Sequence, residues 1–439
     1  MLDGLGGAAW GRFGVVFYNN VKHLNEAQIG VLQGIRPLVG FLARPFWGWV
    51  SDRLRSRKTV FCICKLGSTA CLMTLALPSE SFQAVGASVG GMSLFPTVGI
   101  LDAHTIDFLG DSHRSMYGSI RLWATISWGI GSVVMGYLTD HFGFSWNFVA
   151  FGVMMMLSLL FTIAFLPARS KSERDHYESG VAPRWDVLLR ALNQREVLLW
   201  LVEMILMGAA TSLVDSFLFV FLQKDLNAST LLCGLTVGVT VLLEIPIFAY
   251  SKSLLEKVGH DGLLVTSMFA YAVRVFGYTR LSPKTINFVL LLEVLHGITF
   301  ATAWISAVDF CSQFGPKEWS TMAQSILGAF WASLGGSIGP IFGGLAYRRF
   351  GAAAMFGGAG LIMMVAALMH VIVWAFGLSL GRFLSSTYDT LSMGSDQEDD
   401  QSSPEVGGEI EMAMEAPTNA YISVDNGTFS RASDHVAIS

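Results

Sequence analysis

The chain has 439 residues, of which 52% are hydrophobic and only 14% charged, with a mean hydropathy of +0.52. A soluble protein cannot cover so much apolar surface with so few charges, so the composition excludes one and belongs to an integral, multi-pass membrane protein. The net charge of −5 is unevenly spread: from Leu378 onward two basic residues stand against eleven acidic ones, and the rest of the chain carries about +4.

A membrane-spanning helix needs about 20 predominantly apolar residues. Twelve stretches meet that measure, near 4–22, 27–50, 59–77, 82–108, 117–139, 144–166, 196–222, 230–250, 262–281, 285–310, 320–347 and 351–377. The first is interrupted by Arg12, Asn19 and Asn20, and it lacks the basic start and small-residue cleavage site of a signal peptide, so it reads as a signal-anchor span. Between the sixth and seventh spans lies a charged stretch of about 28 residues, 167–195, which suits a cytoplasmic linker. The organisation is therefore 1–166, a first six-helix half; 167–195, the linker; 196–377, a second half; and 378–439, an acidic, Ser-rich tail without periodicity, expected to be disordered. In that tail "YDTL" and "YISV" fit a tyrosine-x-x-hydrophobic pattern that sorting adaptors could read.

The basic residues of the short loops set the expected orientation. Arg53, Arg55, Arg57 and Lys58, six basic residues of the linker, and Lys252, Lys257 and Lys317 fall on one side. Fewer fall on the other: Lys22, Lys224, Arg280, Lys284, Arg348 and Arg349. Both termini should face the cytoplasm. The two halves also share an internal repeat. "GIGSVVMGYLTDHFG" (129–143) and "SIGPIFGGLAYRRFG" (337–351) match at Gly131/Gly339, Gly136/Gly344, Phe142/Phe350 and Gly143/Gly351, and the next span keeps the offset with Phe148/Phe356, Gly152/Gly360 and Met155/Met363. A constant offset through two spans indicates duplication, with a binding site expected between the halves near mid-membrane. The expected fold is an all-α membrane protein with twelve transmembrane helices in two pseudo-symmetric six-helix halves.

Charged groups at the bilayer centre cost roughly 2.5–3.5 kcal/mol each on insertion scales, so they normally face the protein interior. Here they are numerous: Arg36 and Arg44, Lys65, Asp102 and Asp107, and Arg121 in the first half; Glu203, Asp215, Glu244, Arg274, Glu293 and His296 in the second. So many suggest a polar cavity. Glu293 and His296 stand three apart and share a helix face. A neighbouring carboxylate would favour a charged imidazole and burial would oppose it, leaving a group able to exchange a proton near physiological pH. The bland alternative is a structural pair, with Glu293 bound to Arg274. The five cysteines lie in or beside apolar runs and read as buried free thiols; no disulfide or zinc pattern appears.

After the second span stands "GWVSDRLRSRK", with Gly48, Asp52, Arg53, Arg57 and Lys58. This resembles the Gly-x-x-x-Asp-Arg-x-x-x-Arg-Lys/Arg signature that the major facilitator superfamily carries between helices 2 and 3, where it acts in conformational gating. "YGSIRLWATISWGIG", "LEIP", "AYAVRVFGY" and "LEVLHGITFATAW" are similar to the group around domain-containing protein 6 of that superfamily, allied to lactose permease and nucleoside/proton symporters. The similarity runs from about residue 10 to 377. It implies a secondary transporter with alternating access. By the same resemblance Asp102, Arg121 and Trp128 would hold a solute, and Arg274 and His296 would serve proton coupling. One departure is plain: lactose permease reads Lys-x-x-His-x-x-Glu where this chain reads Glu293-x-x-His296-x-x-Thr299, so a proton-carrying role for Glu293 rests on its chemistry alone.

The sequence thus points to a monomeric, proton-driven transporter of a small polar solute, sugar- or nucleoside-like, that needs no cofactor, metal or nucleic acid. An uncoupled facilitator, and a transporter-like receptor or scaffold, stand as alternatives. An enzyme is not expected, because the sequence has no Walker motif, metal-ligand cluster or placed nucleophile. Single cysteines introduced at Arg57 and Pro183 should both react with an impermeant maleimide from the cytoplasmic side; labelling from opposite sides would overturn the topology.

Overall fold

The computed structural model describes residues 1–54, 56–79, 81–97, 117–166, 195–313 and 325–375, with a few positions between 100 and 109; the side chains of Asp52 and Arg121 are not among those described. Asp102, the linker and the acidic tail lie outside the described residues. Those described form helices and no strand.

The first span is two helices, α1 (Leu2–Trp10) and α2 (Phe13–Asn20), broken at Gly11 and Arg12. There follow α3 (Glu26–Leu54), α4 (Arg57–Met73), α5 (Phe82–Ser93), α6 (Tyr117–Phe142) and α7 (Ser145–Phe165). The second half contains α8 (Arg195–Val220), which runs on as a π-helical turn over Phe221–Asp225, and α9 (Thr230–Ala249). Next come α10 (Ser251–Tyr278) and α11 (Val289–Gln313), then a π-helical segment Ala329–Gly335 leading into α12 (Gly336–Phe350), and α13 (Ala352–Ala375). Among the described residues seven helices are long and apolar enough to cross a membrane. The others fall on the remaining expected stretches. α10 starts earlier than the apolar pattern implies because Gly259, at φ 73°, joins a polar first piece to the spanning helix. That left-handed backbone is open to glycine without strain.

The repeat is visible as reciprocal packing. Gly131 of α6 leaves room for Ala8 and Leu5 of α1, and its counterpart Gly339 of α12 lets in the Ala209 carbonyl and Ser212 of α8. Five residues on, Gly136 lies against Thr230 and Leu231 of α9, while Gly344 lies against Glu26 and Gly30 of α3. A side chain at any of these four glycines would collide with a neighbouring helix. Each of α6 and α12 therefore packs on the first helix of its own half and on the second helix of the other. Gly143 (φ 79°) and Gly351 (φ 83°) then end the two helices with a positive φ that glycine adopts without strain.

One end of this seam is closed by polar bonds between the halves. Asp140 at the end of α6 accepts from the Thr230 and Leu231 amides, both at 2.7 Å, and Ser229 Oγ accepts from Leu232 N at 3.1 Å, so three orphan amides of α9 are satisfied. At the opposite seam Asn25 and Gln28 form a reciprocal capping box on α3 (3.0 and 3.1 Å), and Glu26 is bonded to Lys224. Asn20 bonds Gln223 at 3.0 Å, and within the second half Tyr347 donates to Asp225 at 2.9 Å. Asp140→Ala removes two of these caps and is expected to destabilise the protein by about 0.5–2 kcal/mol. Thermal unfolding in detergent should show the loss, with Asp140→Asn recovering part of it.

Candidate functional site

Arg274 on α10 is fully buried, at 0% exposure, as is Glu293 on α11. Arg274 Nη2 donates to both Glu293 oxygens (3.0 and 2.8 Å) and Nε donates to Oε1 (3.2 Å). Tyr278, one turn beyond Arg274, donates its hydroxyl to the same Oε1. The remaining nitrogen, Nη1, lies 2.7 Å from His296 Nδ1. A guanidinium has donors and no acceptor and keeps its proton, so His296 Nδ1 must be the acceptor. The imidazole is therefore neutral here, with its hydrogen on Nε2, and Nε2 points at Glu244 Oε1 of α9, 3.6 Å away. Glu293 and His296 share a face, but the arginine sits between them and presents a donor to the ring.

Two backbone features bring Glu244 to this place. A Cβ on Gly297 would meet Leu243 Cβ at 3.0 Å and Glu244 N at 3.2 Å, so the glycine beside His296 is what lets α11 pass so close to α9. Pro246 inside α9 has no amide, which leaves the Leu242 carbonyl without its helical donor two residues before Glu244.

Around this core the first half contributes Arg12, at the break between α1 and α2, ion-paired with Asp215 of α8. Asp215 is 47% exposed although its helix neighbours Val214 and Phe217 are fully buried. Arg12 and Asp215 both act electrostatically on Glu244. Trp128 of α6 lies against Gly7 and Gly11, beside Arg12, where any side chain on those glycines would strike its ring. Below His296 the α11 face continues as an aromatic ladder: Phe300 stacks 6.2 Å from the imidazole, Trp304 is 6.0 Å further, and Trp331 of the π-helical segment meets Trp304 edge-on at 5.8 Å.

The structure thus gathers Arg274, Glu293, His296, Glu244 and Asp215 of the second half, with Arg12 of the first half across the seam. Arg36 is apart from this set in its bonding, donating to Gln33 of its own helix at 2.9 Å. Of the solute-binding candidates, only the Trp128 side chain is among the described residues. Arg12 and Tyr278 carried no sequence signal beyond their polarity in an apolar stretch; a charge at a Gly-flanked position in the first span was the available hint for Arg12. In the gating stretch, Lys58 caps α7, donating to the Ile163 and Leu166 carbonyls at 2.9 and 2.6 Å, and Ser56 caps α4. Arg53 is exposed and Arg57 half-buried. No described atom comes within 4 Å of a Cβ placed on Gly48, so that glycine faces open space in this conformation.

The family model described as MFS_1 like family matches residues 15–357. A maltose permease of Geobacillus stearothermophilus is 24% identical over 82% of this chain and 87% of its own length. A major facilitator superfamily domain-containing protein 6-like protein of Danio rerio is 23% identical over 67% of this chain, which spans about half of that relative (54%). Among solved structures, the nucleoside transporter NupG superposes with a TM-score of 0.70 at 17% identity, over 85% of this chain and 97% of its own.

Removing one member of a buried ion pair strands the other, at about 3–5 kcal/mol. Arg274→Leu and Glu293→Leu should therefore each lose most of the folded, monodisperse protein in size-exclusion chromatography. The double variant should recover a substantial part; a double variant no better than the singles would show that the two groups are not each other's main support.

Proposed function

Because the chain belongs to the MFS_1 like family of major facilitator transporters, we propose that it is a secondary active transporter of a small polar solute, driven by protons, with both termini cytoplasmic. The observation that carries the coupling is the series Glu244, His296, Arg274, Glu293: a neutral imidazole whose two nitrogens face a permanent cation and a carboxylate. Protonating His296 turns its Nδ1 from acceptor to donor. It must then leave Arg274, while the new imidazolium is drawn to Glu244. Proton binding at this point therefore exchanges one inter-helix contact, α10 to α11, for another, α9 to α11. That is a conformational bias of the kind alternating access requires. Glu293 keeps Arg274 in place throughout, and the proton passes between His296 and Glu244.

The solute would sit between this cluster and the first half, against Trp128 and the Arg12–Asp215 pair, with Asp102 and Arg121 as the further candidates. Trp128, Trp304 and Phe300 suit a solute with a ring face, and the names of the relatives make sugars and nucleosides the first classes to try. The seam closed at Asp140 and Glu26 is on the side that the loop charges mark as outer, so this conformation is the one that faces inward. The signature stretch Gly48, Asp52, Arg53, Arg57 and Lys58 would act in the exchange between conformations.

Proteoliposomes with an imposed pH gradient test the reading, using maltose and a set of labelled nucleosides. Wild type should accumulate one of them against its gradient. His296→Gln and Glu244→Gln should abolish accumulation while leaving downhill counterflow. Accumulation that survives in both variants would remove the coupling role, and uptake indifferent to the pH gradient in wild type would favour the uncoupled facilitator.

A further inference from the structure

A second set of ionisable groups lies in the second half, away from the site above. Asp309 stands sixteen residues beyond Glu293 on α11, about 24 Å along the helix at 1.5 Å per residue. It belongs with His260 and Asp261 at the start of the spanning part of α10, Glu203 of α8 and His370 of α13. The five alternate acid and base. His370 Nδ1 is 2.6 Å from Glu203 Oε1, and its Nε2 is 3.4 Å from Asp261 Oδ1. His260 Nε2 is 3.8 Å from Asp261 Oδ2, and its Nδ1 is 3.5 Å from Asp309 Oδ2. His370 is only 5% exposed.

The geometry around His370 constrains its protons. A neutral imidazole has one N–H and one lone pair. With a carboxylate oxygen at each ring nitrogen, the neutral ring can satisfy one and must point its lone pair at the other. Only the doubly protonated ring bonds both. Glu203 Oε2 and His260 Nε2 are also buried with no hydrogen-bond partner among the described residues, so the cluster holds an unmet acceptor and a ring nitrogen without a bond. The groups that face His370 are Glu203 from α8 and Asp261 from α10; the basic residues of α12, Arg348 and Arg349, are at that helix's other end. Lys252 and Glu256, before the Gly259 kink, pair with each other at 3.9 Å and are well exposed. Among the described residues no three of the histidines and acids converge as metal ligands do, so the ligand that matches this arrangement is the proton.

We propose that Glu203, His370, Asp261, His260 and Asp309 form a second proton-binding site, independent of the Arg274 cluster, whose occupancy fastens the ends of α8, α10, α11 and α13 to one another. The point it fastens is a hinge. His260 directly follows Gly259, whose φ of 73° turns the chain into α10, and the His260 carbonyl accepts from Ser306 of α11 at 2.8 Å. Three helices that contribute to the central cluster, α8, α10 and α11, are thereby tied to one another and to α13. Loss of the proton from His370 breaks one of its two links, and the α10 kink is freed from α13 or α13 from α8. The fastening is complete at lower pH and is lost as pH rises.

Hydrogen exchange of the full chain in lipid nanodiscs, without solute, tests this. After correction for intrinsic rates, protection of 251–262 and 305–313 should fall by about tenfold or more from acid to alkaline buffer, since links to charged groups are worth roughly 1.5–3 kcal/mol. The segment around Gly351 should not follow. His370→Gln should show the low protection at every pH, and Glu203→Gln a weakened pH response. If His370→Gln does not fold, nitrogen spectra of histidine-labelled wild type decide the question, because one imidazole should carry protons on both nitrogens at neutral pH and lose one with the fall in protection. Protection independent of pH in wild type, or a His370→Gln variant with the wild-type profile, would overturn the proposal and leave a static network.

Discussion

A guanidinium with no exposure to solvent is the constraint from which the centre of this protein follows. Arg274 cannot shed its charge and has five N–H hydrogens to place. Burying it alone would be prohibitive, and pairing it with one carboxylate would still leave donors unmet. Glu293 takes three of its bonds and Tyr278 completes Glu293, so the remaining hydrogen of interest falls on His296 and settles which nitrogen of that ring can accept. The tautomer and the direction of Nε2, toward Glu244, are consequences. A cluster built this way is rigid on its arginine side and adjustable on its histidine side.

The glycines determine where such a cluster can exist. Gly131, Gly136, Gly339 and Gly344 let two helices pack tightly on partners from both halves, and Gly297 does the same locally between α9 and α11. Close backbone contact replaces side-chain packing at those levels, which leaves the polar side chains above and below to meet one another instead of lipid. A second consequence is the closed seam: once α6 meets α9 and α12 meets α3, Asp140 and Glu26 are at bonding distance from the other half. The same architecture thus brings the polar side chains together and closes the seam at one end. Elsewhere the intramembrane charges are spent locally, as where buried Lys65 of α4 pairs with Asp3 of α1, to which Ser158 of α7 also bonds at 2.8 Å.

Much of this is legible in the sequence. The helices follow the apolar stretches, and the 131/339 and 136/344 matches are the residues through which the two halves pack reciprocally. The Glu293, His296 and Arg274 triad could be assembled from helix periodicity and the insertion cost of charge. What escaped the sequence has common causes. Glu244 stood out as a charge in an apolar span, but nothing in one dimension says that Gly297 opens the gap through which it reaches His296. Arg12 looked like a defect in a weak first span, whereas it is a deliberate break that faces Asp215. The His370 cluster draws on four helices with at most two residues from each, so it has no spacing to detect.

The sequence by itself determined the class of the protein, its helices and its duplication, because these depend on composition, on period and on repetition along the chain. It also determined that charges would be buried, since the apolar stretches carry them. The tertiary structure alone decided which charge meets which. Partner choice between groups on different helices depends on interhelical distance and rotation, and those are set by where glycines let the backbones meet. It alone decided the protonation of His296 in this arrangement, because a ring nitrogen becomes donor or acceptor only when a specific atom, here Nη1 of Arg274, is placed against it.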